Sequence, residues 1–545
     1  LPEGGIYQRR DYKMLGYDFR ATASWNHVFN DIHITNFFAG TEINSTDRSK
    51  NYYQGWGMQY SMGEIPYYVY EFFKKGIEDG NNYYSLSQTR SRSAAFFANA
   101  TYSYKGRYTV NGTARYEGTN RMGKSRSARW LPTWNVSGAW NAHEEKFFSN
   151  LTSVLSHFTL KASYSLTADR GPADVTNSQA IITSYSPYRP FTSIQESGLY
   201  IKELENSELT YEKKHELNIG ADMGFLNNRI NLAVDWYKRN NYDLIGIVNT
   251  QGAGGQILKY ANIASMKSHG IEFTLSTKNI KTKDFNWNTD FIFSNAKNEV
   301  TDLKQNANVM ELISGNGFAK QGYPVRGLFS IPFVGLDKDG IPVIINEKGE
   351  ATSTDINFQE RQNTGFLKYE GPTDPTITGS LGNMFSYKGF RLNLFITYSF
   401  GNVIRLNPVF KAYYSDLTAM TREFKNRWTL PGDEAKTNVP AILSKRMYDS
   451  NEDLKYAYNA YNYSTERIAK GDFIRLKEIS LAYDFPKAWI NPLKLTDLSL
   501  KVQATNLFLI YADDKLNGQD PEFFNAGGVA SPVPRQFTIT LRLGL

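Results

Sequence analysis

Six histidines, His27, His33, His143, His157, His215 and His269, are scattered through the sequence with no paired spacing that suggests a metal site. There is no cysteine, which excludes thiolate ligands and disulfide staples. No grouping of serine, histidine and acid suggests a nucleophile with its base. The reading is therefore of a chain that is not an enzyme and carries neither metal nor cofactor. Asp337-Lys-Asp339-Gly340, followed by Asn346-Glu-Lys-Gly349, offers oxygen ligands without the spacing of a calcium loop. Asp-Gly and Lys-Gly turns of a hairpin describe it better. What remains is recognition chemistry. Between 169 and 211 lie Tyr185, Tyr188, Phe191 and Tyr200, with Arg189 and Gln195 among them; between 403 and 472 lie Tyr413, Tyr414, Trp428, Tyr448, Tyr456, Tyr458, Tyr461 and Tyr463. Ring faces beside hydrogen-bonding groups can stack on sugar rings or clasp peptide side chains. Tyr185, Tyr188, Arg189, Tyr413, Tyr414 and Trp428 are the substrate-binding candidates. The competing role for the same rings is packing the loops together or docking a lid.

The elements that would carry these loops read as β-strands. Ala98, Ala100, Tyr102 and Tyr104 alternate with Phe97, Asn99, Thr101, Ser103 and Lys105. After a Lys105-Gly106 turn, Tyr108, Val110, Gly112, Ala114 and Tyr116 alternate with Thr109, Asn111, Thr113, Arg115 and Glu117. Successive side chains on a strand point to opposite faces, so each strand has one lipid-compatible face and one wet face. The same alternation runs through Leu217–Phe225, through Ile230–Trp236 after an Asn227-Asn228 turn, and through Phe537–Leu545. It also runs through Phe390–Phe400, where Phe395 alone breaks it. Asn99, Arg115, Glu117, Arg391 and Asn393 are expected to face a water-filled lumen.

Roughly fifteen such strands are expected, near 17–26, 31–42, 93–105, 106–118, 131–141, 157–168, 212–226, 229–242, 269–279, 284–298, 376–388, 389–402, 473–485, 496–508 and 534–545, each long enough to cross a bilayer at a tilt. Short connections alternate with long ones. A soluble sandwich has no reason to segregate its loops by length, whereas an outer-membrane barrel keeps tight turns on one side and functional loops on the other. The expected fold is all-β, a transmembrane antiparallel β-barrel with long extracellular loops. With the long loops outside, both the first and the last strand run toward the periplasm. An even-numbered barrel then needs an odd number of further strands before Tyr17, and residues 1–545 are expected to be the C-terminal part of a larger barrel.

Composition agrees. No apolar run approaches the ~18 residues a membrane helix needs, and the mean hydropathy is −0.48, as suits polar loops and a wet interior. No linker or low-complexity tract divides the chain. The net charge of +7 is carried by dispersed lysines and arginines without the stripe that nucleic acid requires, and suits contact with water or lipopolysaccharide.

Several motifs narrow this further. Gly471-Asp-Phe-Ile-Arg-Leu-Lys-Glu-Ile-Ser-Leu-Ala-Tyr-Asp-Phe-Pro486, Thr505-Asn506-Leu507, Gly518-Gln-Asp-Pro-Glu522 and Ser531-Pro-Val-Pro-Arg535 follow one another in the order found at the end of SusC/RagA-type TonB-linked transporters. Asn426-Arg-Trp-Thr429, Gly371-Pro-Thr-Asp-Pro375, Phe385-Ser-Tyr-Lys-Gly-Phe390, Lys297-Asn-Glu-Val300, Ser268-His-Gly-Ile-Glu272 and Leu131-Pro-Thr-Trp134 with Trp140 fit the same family. The chain thus resembles that family from about Leu131 onward. Tyr387-Lys388-Gly389-Phe390 reads as a tight turn between interfacial aromatics, with Gly389 free to take positive φ. Asn506 is expected to close the polar face where its strand leaves the membrane. For Asp520-Pro-Glu522 only a turn can be argued.

The resemblance implies a barrel of about 22 strands, with a plug, a TonB-contacting box and an N-terminal extension expected in the parent assembly rather than in these residues. It also implies import of oligosaccharides or oligopeptides, a SusD-like surface lipoprotein over the external loops, and energy delivered by the TonB complex. A siderophore or vitamin importer is the nearest alternative. A secreted β-rich adhesin or glycan-binding module is the alternative from another class; it would be soluble without detergent.

Overall fold

The computed structural model describes residues 4–63, 70–172, 180–185, 197–250, 252, 258–414, 421–524 and 534–545. All the expected strands form. They are β1 (Gly5–Phe29), β2 (His33–Met58), β3 (Tyr84–Tyr104), β4 (Tyr108–Thr119), β5 (Trp130–Asn141), β6 (Leu155–Asp169), β7 (Glu212–Phe225), β8 (Ile230–Asn249), β9 (Leu258–Lys281), β10 (Phe285–Leu303), β11 (Ile377–Tyr387), β12 (Phe390–Phe400), β13 (Phe473–Asp484), β14 (Asp497–Ala512) and β15 (Gln536–Gly544). They pair in sequence order as one 15-stranded antiparallel sheet with β1 and β15 at its ends. By compactness the chain divides into two units. One comprises residues 1–138, 163–215 and 241–263; the other comprises 139–162, 216–240 and 264–545.

The tight turns are made by Asn, Asp and Lys residues and glycines held in a left-handed backbone. Asn30 and Asp31 turn β1 into β2, Lys105-Gly106 turns β3 into β4, Asn227-Asn228 turns β7 into β8, and Lys388-Gly389 turns β11 into β12, all at positive φ. Gly389 has φ 92°, and a Cβ there would lie 2.9 Å from the Asp484 carbonyl oxygen, so both conformation and space demand glycine.

Register decides which side chains share a face. Across β1–β4 the rows Arg20–Glu42–Ala95–Glu117, Thr22–Gly40–Phe97–Arg115 and Asn26–Asn36–Thr101–Asn111 lie on the polar side. Phe19–Ile43–Ala94 and Trp25–Phe37–Ala100–Gly112 lie on the other. The apolar side is not covered: Phe19, Trp25, Phe37, Ile43, Phe96 and Val110 are all exposed. In the second unit β15 shows the same, with Phe537 72% and Ile539 75% exposed. A folded chain in water hides such surface; a strand whose apolar face meets lipid does not need to. Near the tight turns this face ends in rings and a polar handle: His27 and Phe29 stand 4.2 Å apart, and His33 Nδ1 is 2.7 Å from the Tyr102 hydroxyl.

Three corrections concern length and position. β1, β2 and β3 run far beyond 17–26, 31–42 and 93–105, so half of the expected 43–92 loop is sheet. There both faces become polar, and the apolar period that reveals a strand disappears while the backbone pairing continues. The 299–375 and 403–472 excursions are folded, with short strands and helices around common apolar clusters. Asn506 lies inside β14, not at its end; it has φ 54° at a bulge where Leu476 faces Phe508 and Glu478 faces Thr505.

Candidate functional site

On the polar face of the first unit the side chains bond across strands. Asn99 Nδ2 donates to Thr113 Oγ1 at 2.7 Å, Asn111 Nδ2 to Thr101 Oγ1 at 2.6 Å, and Thr109 Oγ1 to Ser103 Oγ at 3.0 Å. Arg115 pairs with Glu117 at 2.7 Å and stands 3.8 Å from Glu42; Arg170 also pairs with Glu117. Phe97 is an apolar member of this face, with the Phe38 ring 5.7 Å from its own. Its ring lies 5.2 Å from the Arg20 guanidinium and 5.8 Å from that of Arg115, over Gly40, where a Cβ would come within 2.6 Å of the ring. A phenylalanine on a wet face is thus held by two cations and a glycine notch.

In the second unit Arg391 pairs with Asp484 at 2.8 Å, and Asn393 Nδ2 donates to Ser480 Oγ at 3.3 Å. Phe395, the exception to alternation in β12, is opposite Gly382, where a Cβ would meet its ring at 3.5 Å. It repeats the Phe97–Gly40 arrangement.

The loops of the second unit form a packed module. Ile341, Phe410, Tyr414, Phe424, Leu443, Leu454, Tyr458 and Tyr461 build one core; Val309, Leu312, Ile313, Phe329, Ile331 and Ile344 build another. Tyr414, Tyr458 and Tyr461 therefore take the packing role. The Tyr414 hydroxyl donates to the Val409 carbonyl at 3.0 Å and accepts from the Lys411 amide at 2.7 Å, and burial pushes its phenol up to about 12. Trp428 covers the Asp337–Gly340 turn, where a Cβ on Gly340 would lie 2.6 Å from the indole. Its Nε1 donates to the Glu434 carboxylate at 2.9 Å. That turn, with the one at Asn346–Gly349, makes the three-stranded hairpin Phe333–Leu336, Pro342–Ile345 and Ala351–Thr352.

Tyr413 differs from its neighbour. It is exposed, stacks 6.3 Å from Tyr448, and lines a cavity of about 490 Å³ with Lys411, Lys455, Asn459 and Tyr463. Tyr185, in the hairpin Ile181–Tyr185 with Gly198–Glu203, is exposed and meets Tyr200 edge-on at 5.6 Å. Tyr188 and Arg189 lie outside the described residues, as do Phe191, Gln195 and Ser531–Val533. Among the described residues no three His, Asp or Glu side chains are grouped to hold a metal.

Three buried arginines were missed in the sequence. Arg475, in β13, takes both carboxylate oxygens of Asp520 at 2.6 and 2.8 Å and Glu522 at 3.2 Å. This explains Asp520-Pro-Glu522: the segment after β14 is pinned back onto a strand by charge-assisted bonds from Arg475 Nη2 to both Asp520 oxygens. Arg405 donates to the Ser464 and Phe329 carbonyls at 2.8 and 2.6 Å and to Ser330 Oγ at 3.0 Å. Arg467 pairs with Glu423 and lies 4.7 Å from the Phe410 ring. The available signal was charge: Arg475 and Asp520 both sit inside otherwise apolar or turn-forming motifs.

A family model described as TonB dependent receptor-like, beta-barrel, matches residues 4–507. TonB-dependent receptor P39 of Formosa agariphila is 26% identical over 100% of this chain and 54% of its own length. TonB-dependent receptor SusC of Bacteroides thetaiotaomicron is 26% identical over 87% of this chain and 47% of its own. The chain thus spans about half the length of the curated relatives it matches. Among solved structures, that of the RagAB peptide transporter superposes with a TM-score of 0.76 at 22% identity, over 99% of this chain and 56% of that one, so the fold is shared. The matched model, the SusC relative and the sheet with its uncovered apolar face agree: this chain belongs to the TonB-dependent receptor β-barrel family of the outer membrane, and is a barrel portion of the SusC/RagA type.

Proposed function

We propose that residues 1–545 form the C-terminal barrel portion of an importer that takes up oligosaccharides or oligopeptides, with a SusD-like surface lipoprotein over its long loops and the TonB complex as its energy source. Strands before β1 would complete the barrel, and a plug would fill it. The polar face, with Asn99, Arg115, Glu117, Arg391 and Asn393, would line the lumen, and Tyr413 and Tyr185 would stand among the residues that meet substrate. The observation that carries this reading is the two-sidedness of the sheet: one face knitted by polar pairs, the other apolar and uncovered. Polar pairs consume much of the hydrogen-bonding capacity of the wall, so a hydrated solute can pass without being held at every step.

The test is purification of the full-length protein from outer membranes with mild detergent, followed by growth on defined carbon and nitrogen sources with and without a functional TonB system. Co-purification of a lipoprotein and TonB-dependent growth on oligosaccharides or peptides are expected. Uptake restricted to iron chelates would favour the siderophore alternative, and recovery of the protein in the soluble fraction would favour an adhesin.

A further inference from the structure

We infer that the part of β1–β3 projecting beyond the bilayer carries a site for an anionic oligosaccharide, one bearing carboxylate or sulfate groups; this rests on the import reading and specifies its substrate.

The membrane-crossing stretch of β1 ends near Tyr17, since about ten residues suffice at a tilt. Residues 5–16, paired with 46–58, and residues 84–92 of β3 therefore stand outside it. Register places Arg10 opposite Tyr52, Tyr12 opposite Lys50 and Met14 opposite Arg48. The next strand continues these rows with Ser85, Ser87 and Thr89. All lie on the same side of the sheet as Arg20 and Asn99, that is, on the face the import reading turns to the lumen.

Two properties of this surface point to the ligand. The first is uncompensated charge. On the opposite side, Arg9 pairs with Asp11 at 3.0 Å and Arg92 with Asp47 at 2.7 Å. Arg10, Arg48 and Lys50 are exposed, and among the described residues none is within ion-pair distance of a carboxylate. The first acid on this face is Asp18, two rows below Met14, and it already bonds Asn44. Three cations within a few residues repel one another unless an anion arrives, and Arg48 and Lys50 are spaced by about 7 Å, two residues along a strand. That is a spacing a chain of charged sugars can match.

The second property is the company of these cations. Tyr12 is 70% exposed and Tyr52 lies under the Arg10 guanidinium at 5.5 Å, so flat rings and hydroxyls surround the charges. Sugar rings stack on such faces, and guanidinium groups grip carboxylate or sulfate in a bidentate manner. β2 is paired on both edges, so around Arg48 and Lys50 its main chain has no free hydrogen-bonding edge for an extended peptide, and side chains with the exposed Tyr12 ring beside them are what is on offer. A glycan is recognised that way, which favours it over an acidic peptide.

The test uses the full-length protein in detergent with four probes: oligogalacturonates, chondroitin sulfate oligosaccharides, maltoheptaose and a poly-glutamate peptide. Binding is measured by calorimetry at two salt concentrations. The expected result is that one of the anionic sugars binds at least tenfold more tightly than maltoheptaose and weakens with salt. The variant Arg10→Gln/Arg48→Gln/Lys50→Gln should lose that advantage at least tenfold while its heat-resistant migration on gels stays unchanged. Tyr12→Ala should weaken the anionic sugar without altering the salt slope. Unchanged binding in the triple variant, equal or better binding of maltoheptaose, or absence of binding by both anionic sugars overturns the inference. Tighter binding of poly-glutamate, lost in the triple variant, overturns its glycan half. TonB-dependent growth on neutral glycans alone, unaffected by the triple variant, would sink the inference and leave the import reading standing; absence of any oligosaccharide or peptide uptake would sink that reading itself.

Discussion

Arg475 and Asp520 show how two residues set the path of a loop. Arg475 is buried and the Asp520 carboxylate is 10% exposed; removing Asp520 leaves a buried cation whose remaining acid is the more exposed Glu522 at 3.2 Å, which costs about 3 kcal/mol. Asp520→Ala should therefore release the segment after β14, with tryptic cleavage beyond Lys515 rising about a hundredfold. Arg475→Met/Asp520→Leu should restore most of the protection, because an apolar pair fills the same space without a charge. Tyr413 and Tyr414 give a second contrast between neighbours. Tyr414→Ala removes a core ring and should cost the loop module about 3 kcal/mol, read as faster hydrogen exchange in peptides from 403–472. Tyr413→Ala should cost under about 0.5 kcal/mol and leave exchange unchanged. Sequence alone placed both rings in one loop; it could not separate them, because adjacent residues in irregular backbone have no period from which to infer facing.

At the scale of an element, the 428–434 turn depends on two carboxylates. Amides of Leu430 and Thr429 and the Thr429 hydroxyl hold Asp433 below the usual carboxylate range, and the Trp428 indole and the Gly432 amide do the same for Glu434. Groups lowered in the folded state stabilise it above their ordinary values, near 4, and that contribution vanishes as pH falls through the lowered ones. The Trp428 contribution to fluorescence, taken as the difference from Trp428→Phe, should thus be constant above about pH 5 and change on acidification below it. Glu434→Gln should remove much of that transition. In β2 the constraint is steric instead. Gly40→Val puts a branched side chain against Phe97 and the Ala21 carbonyl, each 2.6 Å from the position of its Cβ. A cost of about 1–3 kcal/mol is expected, seen as a smaller fraction of heat-resistant folded protein. Why Phe97 and Phe395 interrupt polar faces could not be read from alternation, since the glycine each covers lies on another strand and only register brings them together.

Across the whole molecule, the orientation of the sheet can be tested one residue at a time. Ile539 and Thr540 are neighbours on β15 but belong to opposite faces. Ile539→Lys should cost about 2–4 kcal/mol of folding into a bilayer if it lies near the midplane, whereas Thr540→Lys should be tolerated. Refolding into lipid vesicles, followed by gel migration, measures both. Equal tolerance would mean that the apolar face meets water, and the membrane placement would fail.

Strand number, strand order and the two-faced character of the sheet were all legible in the sequence, because a strand in a bilayer must alternate and a tight turn needs residues that accept positive φ. Motif order also carried the family. Folding decided the rest: how far β1–β3 extend past the apolar period, which loop rings form a core, and which arginine finds which acid. Those outcomes depend on contacts between segments tens of residues apart, and a one-dimensional pattern records the facing of a side chain but not its partner.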